Sequence, residues 1–218
     1  YIFSPAEYGV VTELYAYIGF LLIVLTYGME TAFFRFSSRH SNFNKIYGTA
    51  ITALACTSSL FIVLVLFFNR HIAGWLHYSS HNEYIIWFGI IVGLDAFTAI
   101  PFAKLRHQNK AKRFAFVKFI NIAVNISINL FFLYLCPYLL KQNSASFVQH
   151  IYNPDIGIGY IFIANLSASI VTLLLLSFDI FEIKLCFDKK ILKSMLRYSM
   201  PLLIAGLAGM INETLDRI

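Results

Sequence analysis

The chain has 218 residues, of which 59% are apolar and only 13% are charged, and its mean hydropathy is +0.70. Soluble domains average about 45–50% apolar and about 25% charged residues, so this composition excludes a cytosolic enzyme, a disordered protein and an ordinary nucleic-acid-binding protein. The formal net charge of +6 therefore has to be interpreted from the positions of the basic residues.

Six stretches are long and apolar enough to cross a bilayer core, which requires about 20 residues of helix. They contain no strict alternation of apolar and polar residues, which a transmembrane β-barrel would require. The sequence therefore predicts an all-α polytopic transmembrane bundle. The chain lacks an initiator Met and ends beside an apolar stretch, so we expect a fragment of a longer protein. The predicted spans are roughly residues 10–34, 46–68, 84–103, 115–136, 156–178 and 198–218.

The orientation of the spans follows from the basic residues in the five segments between them. These segments contain 3, 1, 6, 1 and 5 Lys or Arg residues in chain order. Because Lys and Arg accumulate in cytoplasmic loops of membrane proteins, segments 35–45, 104–118 and 179–197 are predicted to be cytoplasmic. The positive charge thus indicates orientation more than a basic partner, and no nucleic-acid partner is expected.

Two carboxylates, Glu30 and Asp95, lie within predicted spans, where an ionised group is costly. One interpretation is that each is partly hydrated near the cytoplasmic end of its span and paired with a base. Arg35 follows Glu30 by five residues, and Lys104 follows Asp95 by nine. The other interpretation is that both carboxylates line a transport cavity.

The fourth span carries a stripe of polar side chains. Lys118, Asn121, Asn125 and Asn129 are separated by 3, 4 and 4 residues, so they share one face of a helix. Such a face packs against other helices through hydrogen bonds, or it lines a hydrophilic cavity. The second and fifth spans carry weaker polar faces, so a bundle around a hydrated centre is predicted.

The cluster of basic residues from Lys104 to Arg113 has two interpretations. It sets orientation and attracts anionic lipid head groups, or it binds the phosphate of a lipid-linked substrate. The sequence contains no P-loop, HExxH or GxSxG motif. We therefore expect no enzymatic activity, no cofactor and no metal site.

Five segments together resemble the opening half of polysaccharide biosynthesis flippases. These are the Wzx-type O-antigen and exopolysaccharide repeat-unit exporters of the multidrug/oligosaccharidyl-lipid/polysaccharide superfamily. The segments are FSPAEYG at 3–9, YGMETAFFRF at 27–36, DAFTAIPFAKLR at 95–106, RFAFVKFINI at 113–122, and YSMPLLIAGL at 198–207, running on to Asp216 and Arg217.

The resemblance implies a transporter of 12 to 14 helices, in which two six-helix lobes form a V around a cationic cavity. Residues 1–197 would be helices two to six of the N-terminal lobe, and 198–218 would be helix seven, the start of the C-terminal lobe. The implied cargo is a polyprenyl-pyrophosphate-linked oligosaccharide, moved across the bacterial inner membrane by alternating access. Membrane lipids, a coupling H⁺ or Na⁺, and polysaccharide polymerase or other assembly proteins are the implied partners.

The resemblance also implies roles for single residues. Arg35 is the candidate cavity cation for the pyrophosphate, since a guanidinium binds phosphate oxygens bidentately, although it fits equally well as a positive-inside residue. Glu30 and Asp95 would orient cavity cations or bind a coupling cation. The remaining cavity residues implied are Lys118, the asparagines Asn121, Asn125 and Asn129 as partners of sugar hydroxyls, and Asp216 and Arg217 of the seventh helix.

Two rival functions remain open at the level of the sequence. A cation-coupled multidrug exporter of the same superfamily would share the fold but would prefer acidic cavity residues without the arginine. A membrane-embedded polysaccharide polymerase would carry a large outer loop rich in basic residues. The outer segments 69–83 and 137–155 are short and contain one Lys or Arg each, which counts against a polymerase.

Overall fold

The computed structural model describes residues 5–39, 42–76, 82–141, 151–182 and 186–215. Within these ranges the chain is helical and contains no β-strand. A π-helical turn, Phe131–Leu135, joins α5 to α6, and a 3₁₀ turn, Pro154–Ile156, precedes α7. The helices are α1 Pro5–Thr26, α2 Met29–Arg39, α3 Phe43–Trp75, α4 Asn82–His107, α5 Ala111–Leu130, α6 Cys136–Lys141, α7 Gly159–Phe181 and α8 Lys189–Leu215.

Six helical segments in the described part of the chain are long and apolar enough to cross a membrane. This result confirms the predicted all-α transmembrane bundle. At one end of the bundle the helices run further than the apolar stretches suggest: only residues 108–110 separate α4 from α5, and α8 begins at Lys189. The reason is that hydropathy detects only the apolar core of a span, whereas the helix continues through its charged end. We call the end that holds the α2–α3, α4–α5 and α7–α8 connections the basic end.

The first span is broken between α1 and α2. Tyr27 and Gly28 have positive φ angles of 36° and 68°, a conformation that L-residues other than glycine rarely adopt. A Cβ atom on Gly28 would also lie 3.0 Å from the carbonyl oxygen of Ser199 on α8. The break therefore lets α8 pack closely against the junction of α1 and α2.

Helix α4 occupies the centre of the bundle and packs against α1, α2, α3, α5 and α7. Its GxxxG motif, Gly89 and Gly93, lies against α3, and added Cβ atoms would come within 2.5 Å of side-chain atoms of Val65 and Ile62. The two glycines thus permit the close approach of α3 and α4 that this motif is known to allow in membranes.

The connection before α8 packs against α3. The backbone of Cys186 lies close to Gly48, where a Cβ would be 2.6 Å from the Cys186 nitrogen, and the Asp188 amide donates to Thr49 Oγ1 at 3.0 Å. The Asp188 carboxylate accepts from the backbone N–H groups of Ile191 and Lys190. These N–H groups lower the pKa of Asp188, and the carboxylate caps the first turn of α8. The placement of α8 in a second lobe stays a prediction.

Candidate functional site

A polar cavity of about 430 Å³ lies between α1, α2, α4, α5 and α7. Its walls combine two cations, two carboxylates, two amides and three threonine hydroxyls with a few apolar side chains. All of its lining residues belong to candidate membrane spans. Glu30 and Asp95 lie within the apolar stretches, where an ionised group is costly, whereas Arg106 and Lys118 lie toward the basic end. The lining residues are Leu22, Thr26, Glu30, Asp95, Thr98, Ala99, Phe102, Arg106, Phe114, Lys118, Asn121, Asn165 and Thr172.

Helical periodicity explains how the sequence builds these walls. On α4, Asp95, Phe102 and Arg106 follow one another at 7 and 4 residues, which keeps them on one face. On α5, Lys118 and Asn121 are three residues apart and share the facing side. The structure thus brings four predicted site residues, Glu30, Asp95, Lys118 and Asn121, into one cavity.

Glu30 pairs with Arg106, a residue predicted only as a member of the basic cluster. Arg106 Nη2 donates to Glu30 Oε2 at 2.8 Å, and the two side chains are 43% and 37% exposed. The guanidinium carbon lies 5.3 Å from the ring centre of Phe34 and 5.9 Å from that of Phe114. Arg106 is therefore a half-hydrated cation held at the cavity wall by one carboxylate and two aromatic rings.

Asp95 lies deeper in the bundle. Ser169 Oγ of α7 donates to Asp95 Oδ1 at 2.7 Å. The hydrogen-bond partner of Asp95 is thus a neutral hydroxyl, and the predicted pairing of Asp95 with Lys104 is wrong. The ammonium of Lys118 lies 4.4 Å from the ring centre of Phe102. Asn165 Nδ2 of α7 donates to the hydroxyl of Tyr15 on α1 at 3.2 Å, which ties the outer part of the wall together.

The asparagine stripe of α5 divides into two parts. Asn121 Nδ2 donates to Thr172 Oγ1 at 2.9 Å, so this residue both bonds across to α7 and lines the cavity. Asn129 Nδ2 instead donates to Asn125 Oδ1 at 2.8 Å and to Asn125 O at 3.0 Å. Asn129 therefore bonds back along its own helix to Asn125, while its own Oδ1 is buried without a hydrogen-bond partner in the described part of the chain. Neither residue is among the described residues that line the polar cavity.

The structure also places Arg35 outside the polar cavity. Its guanidinium carbon lies 4.1 Å from the ring centre of Tyr198 on α8, a stacked cation–π arrangement that joins α2 to α8. Asp216 and Arg217, the other two predicted site residues, lie outside the described residues. Among the described lining residues, the cations are Arg106 and Lys118 and the carboxylates are Glu30 and Asp95, so the wall is formally neutral.

Much of the basic cluster binds the end of α7. Lys104 is fully buried, and its Nζ donates to Asp179 O at 2.5 Å and to Glu182 Oε2 at 2.8 Å. Arg113 Nη2 lies 3.4 Å from Asp179 Oδ2, and Lys110 Nζ lies 3.8 Å from Glu182 Oε2. The hydrogen bond from Lys104 lowers the pKa of the Glu182 carboxyl. Three of the cluster's basic residues thus fix α4 and α5 to α7.

Comparison with known families adds one finding. A family model described as polysaccharide biosynthesis protein matches residues 2–139. The match covers well over half of the chain and includes every helix from α1 to α5, and with them Glu30, Asp95, Arg106, Lys118 and Asn121. Neither a curated protein nor a solved structure matches the chain.

Proposed function

The chain belongs to the polysaccharide biosynthesis protein family, and from this premise we propose that it is part of a transporter that flips a polyprenyl-pyrophosphate-linked oligosaccharide across the bacterial inner membrane. The family and the six spans make it a multi-pass membrane protein with a role in polysaccharide synthesis or export. The proposal adds that it acts as a transporter and not as an enzyme, by alternating access and in service of O-antigen, capsule or exopolysaccharide.

The observation that carries the proposal is the polar cavity. A solid helical bundle would bury apolar side chains between α1, α4 and α7, because each ionisable group at membrane depth costs free energy. The cavity instead holds the carboxylates Glu30 and Asp95 within the apolar stretches. It also presents Arg106 and Lys118, from the basic end, and the amides Asn121 and Asn165 to a space of about 430 Å³. Cations and amides are the groups that bind phosphate oxygens and sugar hydroxyls.

Arg106 is the residue to which the proposal assigns the pyrophosphate. Its guanidinium offers several N–H donors in a fixed plane, which suits bidentate binding of phosphate. Glu30 accepts a hydrogen bond from one of these donors at 2.8 Å. Arriving phosphate oxygens replace Glu30 on Arg106, so the carboxylate keeps the cation ordered between transport cycles without neutralising it permanently.

Further parts of the proposal do not depend on the cavity. The cytoplasmic location of segments 35–45, 104–118 and 179–197 rests on their Lys and Arg residues. The use of H⁺ or Na⁺ for coupling, and contact with a polymerase or other assembly proteins, rest on the family resemblance. In such a transporter a second lobe would complete the cavity opposite α4 and α5.

Complementation of a flippase-null bacterium tests the proposal. The complete gene that encodes this chain is expressed together with its cognate glycan pathway, and surface glycan is quantified by immunoblot at matched protein level. Arg106→Ala is expected to lower surface glycan about 10- to 100-fold, because it removes one charge-assisted contact worth about 1.5–3 kcal/mol. Arg106→Lys keeps the charge without the planar fork and is expected to restore only part of it.

Lys112→Ala is the matched control, since Lys112 is an exposed cation of α5 that is not among the described lining residues of the cavity. Arg35→Ala compares the two candidate arginines directly. Full export of glycan by Arg106→Ala at normal protein level would contradict the proposal that Arg106 binds the pyrophosphate. Efflux of cationic dyes without any change in glycan would favour the drug exporter, and a defect confined to glycan chain length would favour the polymerase.

A further inference from the structure

A second cavity, of about 640 Å³, lies between α1, α3, α8 and the connection that precedes α8. We call it the apolar pocket. Its walls are almost entirely hydrocarbon, and the Thr57 hydroxyl donates to the backbone oxygen of Ala53 at 3.1 Å within its own helix. The lining residues are Val24, Tyr27, Thr52, Ala53, Cys56, Thr57, Phe187, Leu192, Leu196, Met200 and Leu203.

Each long wall of the apolar pocket belongs to a helix that carries an exposed lysine at the basic end. On α3 the backbone of residues 186–188 packs against Gly48 and Thr49, between the lining position Thr52 and that lysine. On α8, Lys189 precedes the lining residue Leu192 by three positions, and on α3, Lys45 precedes Thr52 by seven. Spacings of three and seven keep a residue on the same helical face. With a rise of about 1.5 Å per residue, Lys189 lies about 5 Å and Lys45 about 10 Å beyond these lining positions along the helix axes.

The charge around this end of the pocket is positive. In the described residues 42–49 and 186–193, the cations Lys45, Lys189, Lys190 and Lys193 are all exposed, and Asp188 is the single carboxylate. Four positive charges and one negative charge leave a net charge of +3. Asp188 directs its carboxylate to the first N–H groups of α8 and so serves as a helix cap. Lys45 and Lys190 are also close enough to lower the pKa of this carboxyl.

We propose that the apolar pocket binds one anionic phospholipid of the surrounding bilayer, with an acyl chain along α3 and α8 and the phosphate at Lys45 and Lys189. A hydrocarbon chain matches the apolar walls, and a phosphate at membrane-interface depth matches the lysines beyond them. A polar soluble ligand would find almost no hydrogen-bond partners on these walls. The bound lipid fills the space between α1, α3 and α8 and so sets how closely α8 packs against α3.

Cys56 provides a probe inside the pocket, because it is a free, exposed thiol that lines the wall. The complete gene product is purified in detergent with its other cysteines, including Cys136 and Cys186, replaced by alanine. The rate of Cys56 labelling by a small bimane reagent is then measured during titration with phosphatidylglycerol, phosphatidylcholine or undecaprenyl phosphate. Phosphatidylglycerol is expected to slow labelling at a lower concentration than either of the other two lipids.

The double variant Lys45→Gln, Lys189→Gln tests the head-group contact without altering the pocket. A lysine near an anionic membrane surface contributes about 1 kcal/mol, or about fivefold in affinity, so the double variant should require about 25-fold more phosphatidylglycerol for the same protection. Lys112→Gln, an exposed lysine of α5, should leave the titration unchanged.

Three outcomes would overturn the proposal. Equal protection of Cys56 by phosphatidylcholine would show that the lysines do not select an anionic head group. Absence of protection by any lipid would show that the apolar pocket binds no lipid. Protection by undecaprenyl phosphate at the lowest concentration would replace the bilayer phospholipid with the lipid carrier of the cargo. Because the assay measures binding without transport, its result is independent of the flippase proposal.

Discussion

The buried lysine at the basic end allows a sharp test of how the helices are held together. Lys104 is the one fully buried charged side chain among the described residues, and it bonds to Asp179 O and Glu182 Oε2 of the last turn of α7 and the residue after it. Two substitutions separate its two contributions. Lys104→Met removes the ammonium and keeps most of the aliphatic stem, whereas Lys104→Ala removes both.

The magnitudes follow from the burial of each partner. A hydrogen bond between a charged group and the Asp179 carbonyl is worth about 1.5–3 kcal/mol. The pair with Glu182 adds about 0–1 kcal/mol, because the Glu182 side chain is 53% exposed and screened by water. Against this, keeping an ammonium buried costs several kcal/mol. The terms offset each other, so Lys104→Met should change the free energy of unfolding by no more than about 1 kcal/mol.

Lys104→Ala should instead destabilise the protein by about 2–4 kcal/mol. It deletes three buried methylenes, each worth about 0.8 kcal/mol, and leaves a cavity between α4 and α7. Unfolding of the purified gene product in mixed SDS micelles measures both values, with Lys112→Met and Lys112→Ala on the exposed face of α5 as controls. If Lys104→Met proves as destabilising as Lys104→Ala, the charge and not the stem stabilises this junction, and the expected offset between hydrogen bonding and burial does not hold.

Three further predictions concern other contacts. The pKa of the Glu182 carboxyl is lowered in the folded protein, so its ionised form stabilises the fold at pH values above its ordinary pKa of 4.5. This stabilisation is lost as the pH falls below that value, so the difference in unfolding free energy between the original protein and Glu182→Gln should shrink in acid titrations. Gly89→Ala should cost about 1–3 kcal/mol by overpacking α3 against α4, whereas Gly209→Ala, which meets no atom within 4 Å, should not destabilise. Thr172→Val should cost about 0.6 kcal/mol in the same SDS assay by leaving Asn121 without its partner.

Composition and hydropathy were sufficient to predict the architecture. The six apolar stretches correspond to the six spans. Each span has to match the thickness of the bilayer core and has to satisfy its backbone hydrogen bonds internally, as a helix does. The break at Tyr27 and Gly28 was not predicted, because neither residue interrupts the apolar pattern. It coincides with the close packing of Ser199 and Leu202 of α8 against Gly28, a tertiary contact that a local pattern does not contain.

The polar cavity was predicted only in part. Glu30 and Asp95 stood out because a charge within a span has few explanations, and Lys118 stood out because it shares a helix face with Asn121. Asn125 and Asn129 shared the periodicity of Asn121, but periodicity specifies a face and not a partner. A polar face along a whole helix can line a cavity at one level and form bonds within the helix at another, as the bond from Asn129 to Asn125 shows.

The sequence spacing of Arg35 and Arg106 from the nearby carboxylates could have predicted which arginine lines the polar cavity. At about 100° per residue, five positions place Arg35 about 140° around the helix from Glu30, so the two side chains face different neighbours. Eleven positions return Arg106 to within about 20° of Asp95 on α4, and both residues line the polar cavity. Helical phase therefore identifies the cavity cation more reliably than proximity in the sequence, and it also explains why Arg35 reaches Tyr198 on α8 while Arg106 meets Glu30 across the cavity wall.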